Sequence, residues 1–270
     1  MNIIQIKSLI LNTLTKEYRN KAIIFFGLII FTVITISHLM MNFIYENFLA
    51  NGNEQAVIGD KGFMVLFTII SFIMTIVSSV LGINCIKSDF ESTSINQILA
   101  FPISRIEYVG SRVFGSWLIA ILAFVVSIIF TAALLSTNSG VNLIRPELFL
   151  AIITASLNML TVITIACILS LFIPKMFAFI FTFIVRYMIS TSNIAFNYQG
   201  EMGAEMSFGK AFTGFFHFLF PRIHPMDTLT QLFLSGSPIE FSVVALFGHY
   251  FVTYIFLFMA LGWLISRKDV

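Results

Sequence analysis

The chain has 270 residues, 58% of them hydrophobic and only 10% charged, with 32 Phe and a mean hydropathy of +0.97. An ordinary soluble domain is about 45 to 50% apolar and about 25% charged, so this composition cannot build a water-facing surface and excludes a soluble globular protein. A net charge of +2 supplies no basic patch for nucleic acid, and the two cysteines, Cys85 and Cys167, both in apolar stretches, exclude a disulfide framework.

In chain order, Ile3 to Arg19 reads as an amphipathic helix lying in the membrane interface. At 100° per residue Gln5, Ser8, Asn12, Thr15, Lys16 and Arg19 share a polar sector opposite Ile3, Ile6, Ile10 and Leu14. This start is too polar and too long for a signal peptide's n-region and is read as retained. Six apolar runs follow, at about Ala22 to Phe43, Phe63 to Ile86, Val113 to Leu135, Leu148 to Ile173, Phe177 to Phe196 and Phe241 to Ile265. Each is long enough to cross a hydrocarbon core of about 30 Å. They are continuously apolar rather than alternating, so they predict helices: an all-α integral membrane protein with a single transmembrane domain over residues 1–270.

With both termini in the cytoplasm, the inner segments hold ten basic residues against five acidic ones, and the outer segments four against eight. That asymmetry follows the positive-inside rule and predicts an even number of spans with both ends inside.

The connection from Lys87 to Arg112 is longer than two spans require. Two serines stand three residues before a glutamate, Ser88 with Glu91 and Ser104 with Glu107, and each pair predicts a capping box. Phe101-Pro102 breaks the helix between them. The pattern predicts a short cytoplasmic helix, a sharp break, and a second helix feeding into the third span.

The stretch from Glu91 through Thr93, Ile95, Ile98, Leu99, Pro102, Ser104-Arg105, Glu107 and Tyr108 to Gly110, with Gly115 after it, resembles the signature of ABC-2 type permeases. Ser92 and Ser111 depart from the Gly and Lys usual there, and the closing Ile265-Ser-Arg267-Lys268-Asp269 resembles the basic end of NosY-like members. The resemblance implies that Glu91 to Ala100 is a coupling helix seated in a cytoplasmic ABC ATPase subunit, with Arg105 and Glu107 bracing its base. It further implies a second permease copy, as homodimer or paralogous heterodimer, a periplasmic or extracellular accessory partner, export as the direction, and a bacterial inner membrane as the location. The chain has no phosphate-binding loop of its own: Gly203 to Gly209-Lys210 carries one residue too many and is followed by Ala211. ATP and Mg therefore belong to the partner, and no catalytic residue, cofactor or metal is expected in this chain.

Between the fifth and sixth spans, Ala211 to Phe220 is apolar but too short to cross, which predicts a re-entrant or interfacial helix ended by Pro221. A second short helix is predicted from Asp227, as its cap, to Leu234, ending near Gly236. Arg186 is the one charge deep in a span. Because no acidic residue lies in any span, it reads either as part of a translocation path or as an arginine satisfied by carbonyls or by Asn158. His38, Asn84 and Asn158 read as helix-joining polar groups; His217, His224 and Asp227 lack the spacing of a metal site. The competing readings are an intramembrane enzyme, for which the spans hold no paired acid and base, an ion channel, and a non-ABC six-helix protein.

Overall fold

A computed structural model describes residues 3–19, 24, 27–36, 38–39, 55–91, 103–139, 143–201 and 208–267. The predicted coupling residues Thr93, Ile95, Ile98, Leu99 and Pro102 lie outside the described residues. Every regular element among those described is helical: α1 (Ile3–Arg19), α2 (Gly27–Ile36), α3 (Gln55–Glu91), α4 (Arg105–Ser139), α5 (Pro146–Phe172), α6 (Lys175–Glu201), α7 (Phe208–Leu219), α8 (Ile223–Ser235) and α9 (Val243–Ser266). Five are long and apolar enough to cross a membrane, over Lys61–Glu91, Arg105–Ser136, Pro146–Phe172, Lys175–Phe196 and Val243–Ser266. Within the predicted first span the described helix is the shorter Gly27–Ile36.

The centre of the bundle is α5, 78% of whose apolar stretch is buried against 22% in α9. Small residues make this burial feasible: Ala151, Ala155, Ser156 and Ala166 let neighbouring backbones approach. The approach is closest at Gly82 of α3, where an added Cβ would stand 2.5 Å from the Ile163 carbonyl oxygen of α5. Hydroxyls then tie α5 to its surroundings. Thr161 shares a hydrogen bond with Tyr250 (2.8 Å) and Thr164 one with Tyr254 (3.2 Å), while Trp117 donates to the Ser156 carbonyl at 2.8 Å. Cys85 and Cys167 meet between α3 and α5 as free thiols, their sulfurs 3.5 Å apart.

Two local expectations are corrected. Ser88 and Glu91 do not cap a new helix, because α3 continues unbroken to Glu91 and Ser88 donates to the Asn84 carbonyl one turn back. Nor does Asp227 cap the second outer helix, which starts four residues earlier, with Arg222 at its N-cap, and ends as predicted at Gly236 in the left-handed region. The Ser104–Glu107 box forms: Glu107 Oε2 accepts from the Ser104 N–H at 3.0 Å and Ser104 Oγ from the Glu107 N–H at 3.2 Å.

The two short helices pack against the middle of the bundle as well as its end. His217 of α7 shares a hydrogen bond with Asn193 of α6 at 3.1 Å. Ile223, at the start of α8, packs with Ile165 and Ile189. From there α8 runs back along α5, past Thr154, whose hydroxyl lies 2.7 Å from that of Thr230, until Leu234 and Gly236 face Arg145 and Glu147 at the start of α5.

Candidate functional site

Two polar centres occur at different levels of the bundle. The first lies at the end of α3. Asp89 is buried, and both carboxylate oxygens are engaged: Lys16 of α1 donates to Oδ1 at 2.6 Å, while Arg112 Nη2 and the Tyr108 hydroxyl of α4 donate to Oδ2, each at 2.7 Å. Arg112 is itself buried and donates onward to Thr13 at 2.9 Å and Asn12 at 3.3 Å. Tyr108 and Arg112 reach the same carboxylate because they are four residues apart on one helix face. Helix α1 approaches closely enough only because position 115 is glycine: a Cβ there would meet Thr13 at 2.9 Å. Glu17 is also enclosed, and burial raises its carboxyl pKa above the usual range against the opposing pull of Lys16 and then Arg112.

Further contacts fasten the same level to the rest of the bundle. Lys87 donates to the Ile173 carbonyl at the end of α5 (2.6 Å), and Lys175 at the start of α6 pairs with Glu91 (2.5 Å). Arg105 donates to the Ile265 and Ser266 carbonyls at 3.0 and 2.9 Å, satisfying the C-terminus of α9. Of the predicted coupling residues, Glu91, Ser104, Arg105 and Glu107 thus flank residues 92–102 on fixed ends. In the sequence Lys16, Asp89 and Arg112 are three inner-side charges, Lys16 also lying in the polar sector of the first helix. Their association was signalled by two cations and an acid in segments predicted to share one membrane side.

The second centre involves Arg186. Its predicted neighbour Asn158 is there, but the partner is an acid from the outer stretch: Arg186 Nη2 lies 3.5 Å from Asp227 Oδ2, and Asn158 Nδ2 donates to Asp227 Oδ1 at 2.7 Å. Arg186 and Asn158 stand near the middle of α6 and α5, and α8 brings Asp227 to that level. The expectation that Arg186 has no acidic partner is therefore corrected; the acid comes from a non-spanning helix. These groups face a cavity of about 240 Å³ whose apolar wall includes Phe67, Phe72 and Met159. Enclosure pushes the Asp227 carboxyl pKa up, which Arg186 and then Asn158 oppose, although 42% of the side chain remains accessible from the cavity.

On α7, His217 is buried against Phe196, stacked at 4.2 Å, and desolvation, reinforced by Arg222 and His249, pushes its pKa down to about 4. Neither His217 nor His224 joins a cluster with metal-ligand composition among the described residues.

Long apolar helices around a mid-level polar cavity define a multi-pass helical membrane protein of the permease class. Residues 22–197 match the family described as the C-terminal domain of the multidrug efflux system permease Rv1217c. The match covers more than half of the chain, and the chain belongs to that family. It is a transport permease. The matched residues include Asp89, Arg112, Asn158 and Arg186, whereas Asp227 lies beyond them. No curated protein matches the chain.

Proposed function

We propose that this chain is the membrane permease subunit of an ABC transporter of the ABC-2 type, working as an exporter and driven by a separate cytoplasmic ATPase. The observation that carries this reading is the fastening of the two helices that lie on either side of residues 92–102 in the chain. The helix before this segment is bound at Asp89, Lys87 and Glu91 to α1, α4, α5 and α6, and the helix after it is bound through Arg105 to α9. A push on a segment held this way moves the bundle as a body instead of bending a loop. The buried Asp89–Arg112 pair suits such a base, because a desolvated ion pair with its remaining oxygens satisfied resists separation.

In this reading residues 91–100 form the coupling helix, the protein has six spans with both termini cytoplasmic, and α1 lies in the inner interface. A second permease copy completes the central path, helices α7 and α8 re-enter from the outer side, and the membrane is a bacterial inner membrane. Exposed Phe208, Phe212, Phe215 and Phe218 on α7 suit contact with lipid, while His217 faces inward. ATP and Mg are held by the ATPase, and this chain performs no chemistry. The substrates are exported molecules of the kind the family description names, several drugs by one system.

Copurification tests the assembly: an ATPase subunit recovered in equal amount supports it, and a homo-oligomer without one sinks it. The coupling step has its own test. Ile95→Pro should leave the permease inserted and bound to the ATPase while abolishing substrate-stimulated ATP hydrolysis; unchanged stimulation would overturn the coupling assignment.

A further inference from the structure

The cavity beside Arg186 is lined by hydrogen-bond acceptors and by two side chains able to donate, Arg186 and Gln231, and a buried acceptor among them is unmatched. Asn158 Nδ2 donates to Asp227 Oδ1 and points at the Ile223 carbonyl at 3.3 Å. Both partners accept only, so the amide cannot be reversed, and its oxygen is held on the other side. That oxygen is buried, on a side chain only 5% exposed, and has no partner. Thr68 and Thr75 have given their protons to the Met64 and Ser71 carbonyls, each at 2.9 Å, and offer the cavity lone pairs. The Ser71 hydroxyl is likewise buried without a partner.

Against these acceptors stands one cation that fits its carboxylate poorly. The Arg186–Asp227 separation of 3.5 Å is well beyond the 2.7 to 2.9 Å of a charge-assisted hydrogen bond, and Arg186 Nε is also unpartnered. A buried acceptor without a donor is costly, so the Asn158 oxygen favours a guest that supplies a donor, and the loosely held Asp227 carboxylate one that supplies positive charge. Phe67 and Phe72 supply a surface for an apolar or aromatic body and, through their ring faces, for the cation itself.

We propose that this cavity binds an amphiphilic organic cation, a primary or secondary ammonium joined to a compact aromatic or branched apolar group, and that Arg186 holds the cation's place in its absence. The ligand's ammonium takes the Asp227 carboxylate and the Asn158 oxygen. Arg186, 24% exposed, swings toward water, so that one cation still faces one carboxylate. The physiological role of this site rests on the transporter reading above, but binding itself needs no ATPase.

Three probes of one frame and different charge test this on the purified full chain in lipid nanodiscs: 2-phenylethylammonium, 2-phenylethanol and phenylacetate, followed by saturation-transfer NMR titration. The ammonium should bind about tenfold or more tightly than the alcohol, and phenylacetate should bind no better than the alcohol. Asp227→Asn should weaken the ammonium about tenfold, whereas Arg186→Gln, which removes the tethered competitor, should tighten it about threefold. Misfolding cannot produce that gain, so the arginine variant keeps the test valid if the aspartate variant is unstable. Preference for phenylacetate, lost in Arg186→Gln, would overturn the proposal. Equal binding of all three probes, indifferent to both variants, would also do so by leaving only an apolar hollow. Recovery without an ATPase would defeat the transporter reading and leave these affinities unchanged, and an ATP-hydrolysing complex that prefers phenylacetate would do the reverse.

Discussion

The two charged centres differ in how completely their ions are satisfied. Around Asp89 two cations and a phenol converge at 2.6 to 2.7 Å, and both Asp89 and Arg112 are about 2% exposed. Around Asp227 one cation stands off at 3.5 Å, the partners are 24% and 42% exposed, and an adjoining cavity holds unmatched acceptors. A closed network in which both carboxylate oxygens are held by short contacts resists change, while an open one with a loosely held carboxylate has capacity for a guest. The same chemistry, arginine and aspartate between helices, thus serves as a fastening at one level and as a receptive site at the other.

The largest expected effect comes from opening the closed centre. Asp89→Ala leaves Arg112 enclosed without its counter-ion and should cost about 3 to 5 kcal/mol, enough to reduce folded yield and lower the thermal midpoint in detergent. Replacing both partners, as Asp89→Asn with Arg112→Met, should recover much of that loss because no uncompensated charge remains. If Asp89→Ala left the midpoint unchanged, the closed centre would have no claim to be a fastening.

A pH titration probes the outer layer next. The unfolded imidazole of His217 takes up a proton near 6.5 and the folded one only near 4. The docking of α7 is therefore fully stabilised above about 6.5 and loses stability as the pH falls from 6.5 toward 4, because only the unfolded state gains the proton readily. Amide exchange in α7 should accelerate between pH 7 and pH 5, and His217→Gln should flatten that dependence. Acceleration of equal size in the variant would show that another group is responsible.

What could be read from the sequence follows the range of each interaction. The five apolar crossings, the two short helices broken at Pro221, the Ser104–Glu107 box and the stop at Gly236 depend on residues within a few positions of one another, and local patterns describe them well. The Asp89 centre depends on Thr13 and Arg112, 99 residues apart, brought together by a helix approach that Gly115 allows. Asp89 was also concealed by a false local signal, since Ser88 and Glu91 have the spacing of a cap but fall inside a helix that continues. Arg186 stands out as the one charge deep in a span, but Asp227 reads from the sequence as the cap of a short outer helix, a role that gives no hint of the pairing. Nothing in the composition of residues 223–235 shows that their helix runs beside the middle of α5; that follows from packing between Ile223, Ile165 and Ile189.

A smaller change separates the capped end of α4 from the core of the same centre. Ser104→Ala removes the hydroxyl that accepts from Glu107 N–H and should cost about 1 kcal/mol, seen as faster amide exchange in the first turn of α4 with the Asp89 contacts intact. Loss of global stability comparable to Asp89→Ala would mean that the cap and the ion pair form one unit.

The smallest expected effect on stability is Arg186→Gln. Its pair with Asp227 is long and partly exposed, so its net contribution is about 0 to 1 kcal/mol, and Gln can still donate to the carboxylate. Removing the half-buried cation also ends the cost of holding it at mid-bundle, which offsets the lost attraction. The thermal midpoint should therefore stay within the spread of surface variants, although this is the one charge that the sequence places deep in a span. A drop as large as that of Asp89→Ala would place Arg186 among the fastenings and erase the distinction between the two centres. An unchanged midpoint with altered cation affinity would mean that its charge is retained for what enters the cavity, because stability gives no reason to keep it.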